Sequence, residues 1–286
     1  MTDRILFACD YEGTYNKEPG KHPKEDEVNA IRRLRNAGHL VALIFERDGF
    51  LSMANIGEYE EEYDFILAST GGCLIARLPI DPPRYGVPTR IFTDTANQYF
   101  LSELYDLFRS VGASNMLVDV LSFMGGDSEG ERFQREYDPA GGLSCWVHYW
   151  GGGGVYRNYQ VNRDALPFVT PFSQCTGFFK NSITAEGVAM EVNRRYRGRL
   201  RAYASGNTAV VVPGNTSKAE GVRRIADFAG IPADRVWTFG NDTEDVCMIR
   251  DFGGIATTDA HPSATSAARC TAASVSEVVE LIGKGV

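Results

Sequence analysis

Polar residues with chemical potential stand where apolar stretches of this chain end. Asp10 and Glu12 follow the apolar run that closes at Cys9, with Gly13 and Thr14 directly behind them. Arg47 comes just after a second such run, His39–Phe45, and Asn241 and Asp242 come just after a third, Arg235–Phe239. Two carboxylates two residues apart are material for nucleophilic and acid–base chemistry, but they also make an ordinary acidic turn after a buried strand. Lys218 opens an amphipathic run, where a cation opposes the dipole of the helix it starts. That position calls for an anionic neighbour. The spacing of Gly214 to Lys218 does not match a phosphate-binding P-loop.

The elements that would position these residues are legible in the apolar pattern. Arg4–Cys9, His39–Phe45 and Phe65–Ser69 read as strands, the second almost continuously apolar as a parallel strand buried on both faces should be. A helix is predicted from Pro23 to Ala37, with Val28, Ile31 and Leu34 on one face and Gly38 after its end. A second, acidic helix is predicted over Ile56–Tyr63. This alternation implies an α/β fold with a doubly wound parallel sheet. Prolines within Leu78–Arg84 mark a linker. Residues 85–206 are richer in aromatics, with strand-like Gly142–Trp150 and Val155–Val161 and helical Thr95–Val111 and Thr184–Arg197, which reads as an inserted α+β domain. The α/β rhythm resumes with strands at Thr208–Val212, Arg235–Phe239 and Gly254–Thr257, and helices at Lys218–Ala229, Thr243–Arg250 and Val275–Ile282. The expected organisation is therefore a core of 1–84 with 207–286, and an insert of 85–206. Open α/β sheets bind ligands beyond the carboxyl ends of their strands, which is where Asp10, Glu12, Arg47, Asn241 and Asp242 fall.

Composition narrows the function classes. A formal net charge of −8 argues against a nucleic-acid-binding surface, which is normally basic. An acidic protein that takes an anionic ligand has to concentrate positive charge locally, and a bound metal is one means. The six cysteines form no C-x-x-C pair and read as reduced core residues. The N-terminal apolar run is too short and too polar for a signal peptide, and no stretch approaches about 18 apolar residues. A cytoplasmic protein with no membrane partner is expected.

Three segments together resemble a known family. Leu6-Phe-Ala-Cys-Asp10-Tyr-Glu12-Gly-Thr14 resembles the opening Asp-x-Asp-Gly-Thr motif of haloacid-dehalogenase-like hydrolases; Val211 to Val222, containing Ser217-Lys218, resembles the third motif of their sugar-phosphatase-like, Cof-type branch; and Trp237 to Met248 resembles the fourth, Gly-Asp-x-x-Asn-Asp-x-x-Met. The motifs occur in family order with an insert of cap size. The resemblance implies a Mg²⁺-dependent hydrolase of a small phosphorylated metabolite, such as a sugar phosphate, working through an aspartyl-phosphate. In it Asp10 is the nucleophile, Glu12 the general acid/base, and Lys218 the residue that balances charge. Gly13, Thr14 and Arg47 would bind substrate, and Asp10, Glu12, Asn241, Asp242 and Asp245 would supply metal ligands. The insert would be a cap closing over the substrate, with His148 and Arg157 as candidate contacts and Gly151–Gly154 as a hairpin tip.

The sequence departs from the family pattern at the chemistry. Glu12 is one methylene longer than the usual Asp. In the second motif, normally Thr-Gly-Arg, Phe45 replaces the hydroxyl and Glu46 the glycine; in the fourth, Asn241 stands for Asp and Glu244 for Asn. The Asn expected after the third strand is absent, with Ser69-Thr70-Gly71 in its place. An enzyme repurposed for other chemistry, or a protein that binds a ligand without turning it over, is therefore the alternative.

Overall fold

The computed structural model describes residues 4–18, 21–46, 63–78, 87–150 and 156–284. The chain divides into two compact units, Met1–Thr93 joined by Ser217–Val286, and Asp94–Thr216. No helix among the described residues is long and apolar enough to cross a membrane, and the cysteines are free thiols.

The first unit is built on an eight-stranded sheet in the order β14-β13-β12-β1-β2-β3-β4-β5. Its strands are β1 (Leu6–Asp10), β2 (Leu40–Ile44), β3 (Phe65–Ala68), β4 (Cys73–Leu78), β5 (Val87–Thr93), β12 (Val236–Gly240), β13 (Ile255–Thr257) and β14 (Cys270–Ala272). β14 to β3 run parallel, whereas β4 and β5 add on antiparallel. Side chains alternate between two apolar layers, as the two-residue period of a strand requires. Phe7, Cys9, Val41, Leu43 and Ile66 face a layer with α1 (Glu25–Asn36) and α8 (Val275–Lys284). Leu6, Ala8, Leu40, Ala42, Ile44 and Leu67 face α5 (Lys218–Ala229) and α6 (Val246–Asp251). Burial on both faces explains why β1, β2 and β3 are nearly all apolar. The register aligns Asp10 with Ile44 and Cys9 with Phe239, so the carboxyl ends of β1, β2 and β12 finish side by side.

The second unit holds a six-stranded sheet in the order β10-β11-β9-β6-β7-β8. Its strands are β6 (Asn115–Val120), β7 (Ser144–Trp150), β8 (Tyr156–Val161), β9 (Phe172–Phe178), β10 (Leu200–Ser205) and β11 (Thr208–Pro213). Only β6 and β7 pair in parallel within it. One face packs on α2 (Tyr99–Ser110) and α4 (Ser182–Arg195), through Leu104, Phe108, Val188 and Val192 against Met116, Val118, Val147 and Val211. A short helix, α3 (Asp127–Arg135), and α7 (Pro262–Ala267) of the first unit complete the described helices named here.

Two boundaries differ from the sequence reading. Val87–Thr93 belongs to the first sheet, paired with β4, so the first unit extends to Thr93 rather than residue 84. Thr208–Pro213 is not a core strand: it pairs with β10 and β9 in the second sheet, which moves the return to Ser217. The cause is local. Ser205 opposes Thr208 across Gly206-Asn207, and Gly206 has a φ of 56°, a two-residue hairpin turn that folds β11 back on β10. The helix expected at 56–63 and the linker at 78–84 lie almost wholly outside the described residues.

The core layers are tied at their edge by Asp64. Its buried carboxylate accepts from the Val41 N–H at 2.9 Å and from Arg35 at 3.2 Å, joining the end of α1 to β2 and β3. Asp64→Ala leaves the Val41 N–H without that acceptor and breaks a buried ion pair. We expect a loss of about 3 kcal/mol, measured by urea unfolding.

Candidate active site

Asp10 is the last residue of β1 and is buried. The chain then turns sharply: the N–H groups of Tyr15 and Asn16 donate back to the carbonyls of Asp10 and Tyr11, at 3.2 and 2.8 Å. Gly13 takes a φ of 80° at the tip. A Cβ there would stand 2.6 Å from Nδ2 of Asn241, so the glycine serves both the turn and the approach of the loop after β12. Thr14 Oγ1 donates to Asn241 Oδ1 at 3.0 Å, stitching the two loops together. That role for Thr14 had no signal in the sequence.

Lys218 is delivered by a strained turn. After β3 the backbone enters the left-handed region at Ser69, Thr70 and Gly71, with φ of 50°, 54° and 99°. For Thr, branched at Cβ, this is unfavourable by about 1–3 kcal/mol. The gain is close approach: a Cβ on Gly71 would lie 2.1 Å from the Ser217 carbonyl oxygen. Ser217 caps α5, its Oγ accepting from the Glu220 N–H at 3.1 Å. Lys218, the next residue, is only 1% exposed, and its Nζ donates at 2.7 Å to both Asp10 Oδ1 and Asp245 Oδ1. These carboxylates offset the unfavourable placing of a cation at a helix start.

Asp245 is held as firmly as the lysine. Its Oδ2 accepts from the N–H groups of Asn241 and Asp242 at 2.8 and 3.0 Å, and its Oδ1 takes the Lys218 bond. Gly240 leaves it room, since a Cβ there would come within 2.5 Å of Asp245 Cβ. Asp245 thus orders the loop after β12 and aims Lys218. Asp242, in contrast, is exposed and caps the following turn by accepting from the Thr243 N–H at 2.6 Å.

Charge in this site is unbalanced. Burial, reinforced by Asp245, pushes Asp10 well above the usual carboxylate range, with Lys218 opposing. Burial alone would lower Lys218, but Asp10, Asp245 and Glu46 hold it well above its ordinary value, as an ammonium. Glu46 is raised to about 7, first by burial and then by Asp245, Glu244 and Glu12, against the pull of Lys218. Glu46 Oε1 lies 3.8 Å from Lys218 Nζ.

The remaining expected residues separate. Phe45 is fully buried and stacks on Tyr11 with ring centroids 4.5 Å apart, so it belongs to the apolar layer. Arg47 and Gly151–Gly154 lie outside the described residues. His148 and Arg157 do not share a surface. Tyr149, in register with Arg157, belongs to the helix-covered core, and Arg157 pairs with Asp127 at 3.2 Å, the carboxylate that also accepts from Tyr149 at 2.6 Å. His148, one residue before, points to the opposite face, 3.8 Å from Asp119 and in line with Gln174 and Asn158 on neighbouring strands. Burial lowers its pKa to about 4, so it is neutral near pH 7.

The donors can be tested against Mg²⁺. Asp242 caps the following turn, and Asp245 accepts from Lys218 and from the loop backbone, so both already serve structural roles here. Among the described residues no three His, Cys, Asp or Glu side chains assemble as a metal site. Asp10, Glu12 and the amide oxygen of Asn241 remain, an all-oxygen set of the kind a hard cation takes. The charge around them agrees: Asp245 and Glu12 act on Asp10, and Asp245, Glu244 and Glu12 act on Glu46, with Lys218 the opposing cation among the described residues. Residues of this site fit an additional cation.

Lys218→Met removes the ammonium that holds Asp10 and Asp245 and leaves the two carboxylates buried together. Asp10, already raised by burial and by Asp245, then binds its proton still more tightly folded than unfolded, which stabilises at low pH and is lost as pH rises. We expect a deficit of about 3 kcal/mol or more at pH 8, shrinking at pH 5, in urea unfolding at both values.

Residues 156–282 match the family described as haloacid dehalogenase-like hydrolase, a segment that includes Lys218 and Asp245 but not Asp10. No curated protein matches the chain in sequence. A haloacid dehalogenase-like hydrolase from Bacteroides thetaiotaomicron superposes with a TM-score of 0.68 at 19% identity, over 98% of this chain and 99% of that one. One from B. subtilis gives 0.68 at 14% identity, over 99% and 100%. A sugar phosphatase of HAD subclass IIB gives 0.67 at 14%, over 98% and 99%. The chain has the fold of these haloacid dehalogenase-like hydrolases, an α/β sheet with an α+β insert.

Proposed function

We propose that this chain is a phosphomonoester hydrolase acting on a small phosphorylated metabolite, such as a sugar phosphate. The observation that carries the reading is the Lys218 ammonium, buried and bonded at 2.7 Å to Asp10 and to Asp245. An Asp at a strand end, held by a cation that is itself held by a second Asp, is a nucleophile whose position and charge are both controlled. Asp10 attacks phosphorus, and the bond from phosphorus to the departing alcohol oxygen breaks with its electron pair. Glu12 gives that oxygen a proton. Water then attacks the aspartyl-phosphate, Glu12 takes a proton from the water, and phosphate leaves as Asp10 is restored.

Asp10, Glu12 and Asn241 would hold Mg²⁺, which when bound supplies the positive charge that a phosphate dianion needs in this acidic pocket. Because Asn241 brings no charge, this binding is weaker than with the family's Asp. Ionised Asp10, the form that attacks, is favoured by each positive charge placed beside it. The inserted unit supplies specificity in this reading, and neutral His148 is its candidate contact, since Arg157 is committed to Asp127. A small-molecule partner, rather than nucleic acid, accords with the net charge of −8, and a cytoplasmic setting with the free thiols.

A second reading, ligand binding without turnover, is favoured by one contact: the Asn241 oxygen already accepts from Thr14. One assay separates the two. Wild type with p-nitrophenyl phosphate and Mg²⁺ should release phosphate, and Asp10→Asn should reduce that release by about 10³-fold or more with an unchanged circular dichroism spectrum. Wild type inert toward a panel of phosphate esters would sink the hydrolase reading.

A further inference from the structure

An ammonium has three N–H donors, and two of those on Lys218 are committed, at 2.7 Å, to Asp10 and Asp245. The next carboxylate is Glu46, whose Oε1 stands 3.8 Å from Nζ. That distance is too long for a hydrogen bond but within ion-pair range. The geometry of β2 places it there. Ile44 faces the layer of α5, Phe45 turns to the other layer and stacks on Tyr11, and Glu46 lies beside Lys218, the first residue of α5. Strand alternation that hides Phe45 therefore presents Glu46. About a quarter of the Glu46 side chain, 26%, stays open to solvent, whereas Lys218 and Asp245 are closed off.

Resting on the phosphatase reading, we propose that Glu46 is a substrate-binding residue of this site. Its carboxyl covers the remaining N–H of Lys218, where as an anion it competes with the phosphoryl group, and as the neutral acid it donates to that group the hydrogen bond that Phe45 cannot make. No proton is transferred: it stays on Glu46 while the phosphoryl oxygen accepts. The two states of one residue thus oppose and assist the same ligand. An anion beside Lys218 has to be displaced by a dianionic substrate, whereas a neutral acid can remain and bond to it.

The charged groups that act on Glu46 come from three directions. Lys218 approaches from α5, Glu12 from the turn after β1, and Glu244 and Asp245 from the loop after β12. Together with burial they leave the carboxyl near neutrality, titrating at about 7. Below that pH the donor form prevails and above it the competitor, so substrate capture weakens as pH rises.

The test measures kcat and KM for p-nitrophenyl phosphate with Mg²⁺ from pH 6 to 8.5 in wild type, Glu46→Gln and Glu46→Ala. Thermal unfolding of each variant confirms a folded protein. Wild-type kcat/KM should fall about tenfold between pH 6 and pH 8, mostly through KM. Glu46→Gln, a permanent donor with no charge, should lose that fall and exceed wild type at pH 8 by about tenfold. Glu46→Ala should also lose the fall but stay below Glu46→Gln at every pH, because it offers no donor. If wild type turns over but Glu46→Gln follows its pH profile, or Glu46→Ala equals Glu46→Gln, the role of Glu46 is overturned and the hydrolase reading stands. If wild type turns over no phosphate ester, both fall together.

Discussion

Lys218 sits at the start of a helix, out of solvent, with carboxylates from two other parts of the chain in contact with its ammonium. Asp10 comes from the end of β1 and Asp245 from the turn after β12, more than two hundred residues apart. Burying such a set is a poor way to stabilise a fold, because removing three charges from water costs about as much as their attraction returns. Breaking it is much worse, since an uncompensated charge is left behind. The triad therefore acts as a constraint on the rest: β1, β12 and α5 have to end at one point, and the loops between them have to let that happen.

Several local features follow from that constraint. Ser69 and Thr70 occupy left-handed backbone that neither residue favours, and Gly71 yields space to the Ser217 carbonyl, so that α5 starts directly against the end of β3. Gly240 yields space to Asp245, and Gly13 to Asn241. Ser217 caps the helix, its side-chain oxygen accepting from the Glu220 N–H of the first turn, which leaves Lys218 to the carboxylates. The strain is held at the site and offset by packing in the two apolar layers on either side of the sheet.

Among the described residues, the same site holds more carboxylates than its one lysine can balance. Burial first, and then the neighbouring carboxylates, raise the proton affinity of Asp10 and Glu46 against the pull of Lys218.

Much of this was legible in the sequence, because strands buried on both faces and amphipathic helices have apolar periods that do not depend on partners. The strands ending at Asp10, Phe45 and Phe239 were placed within a residue or two, and α5 at its observed bounds. A lysine at a helix start is odd without an anionic neighbour, and that much was legible too. Other features lay beyond such a reading. Thr208–Pro213 has the apolar pattern of a core strand, and only pairing with β9 and β10 assigns it to the insert. His148 and Arg157 face opposite ways because the pairing register of β7 and β8 decides which side each side chain takes. Ser69 and Thr70 carry no residue signal for positive φ, and the conformation is imposed by the close approach of α5. Sequence alone marked the strands that end at the site and the helix that Lys218 opens, and it named Asp10 and Lys218. Tertiary structure alone decided which carboxylates share the ammonium, that Asp245 orders the site while Asp242 caps a turn, and that Glu46 stands beside Lys218, because contacts between distant segments depend on how the sheet brings strand ends together.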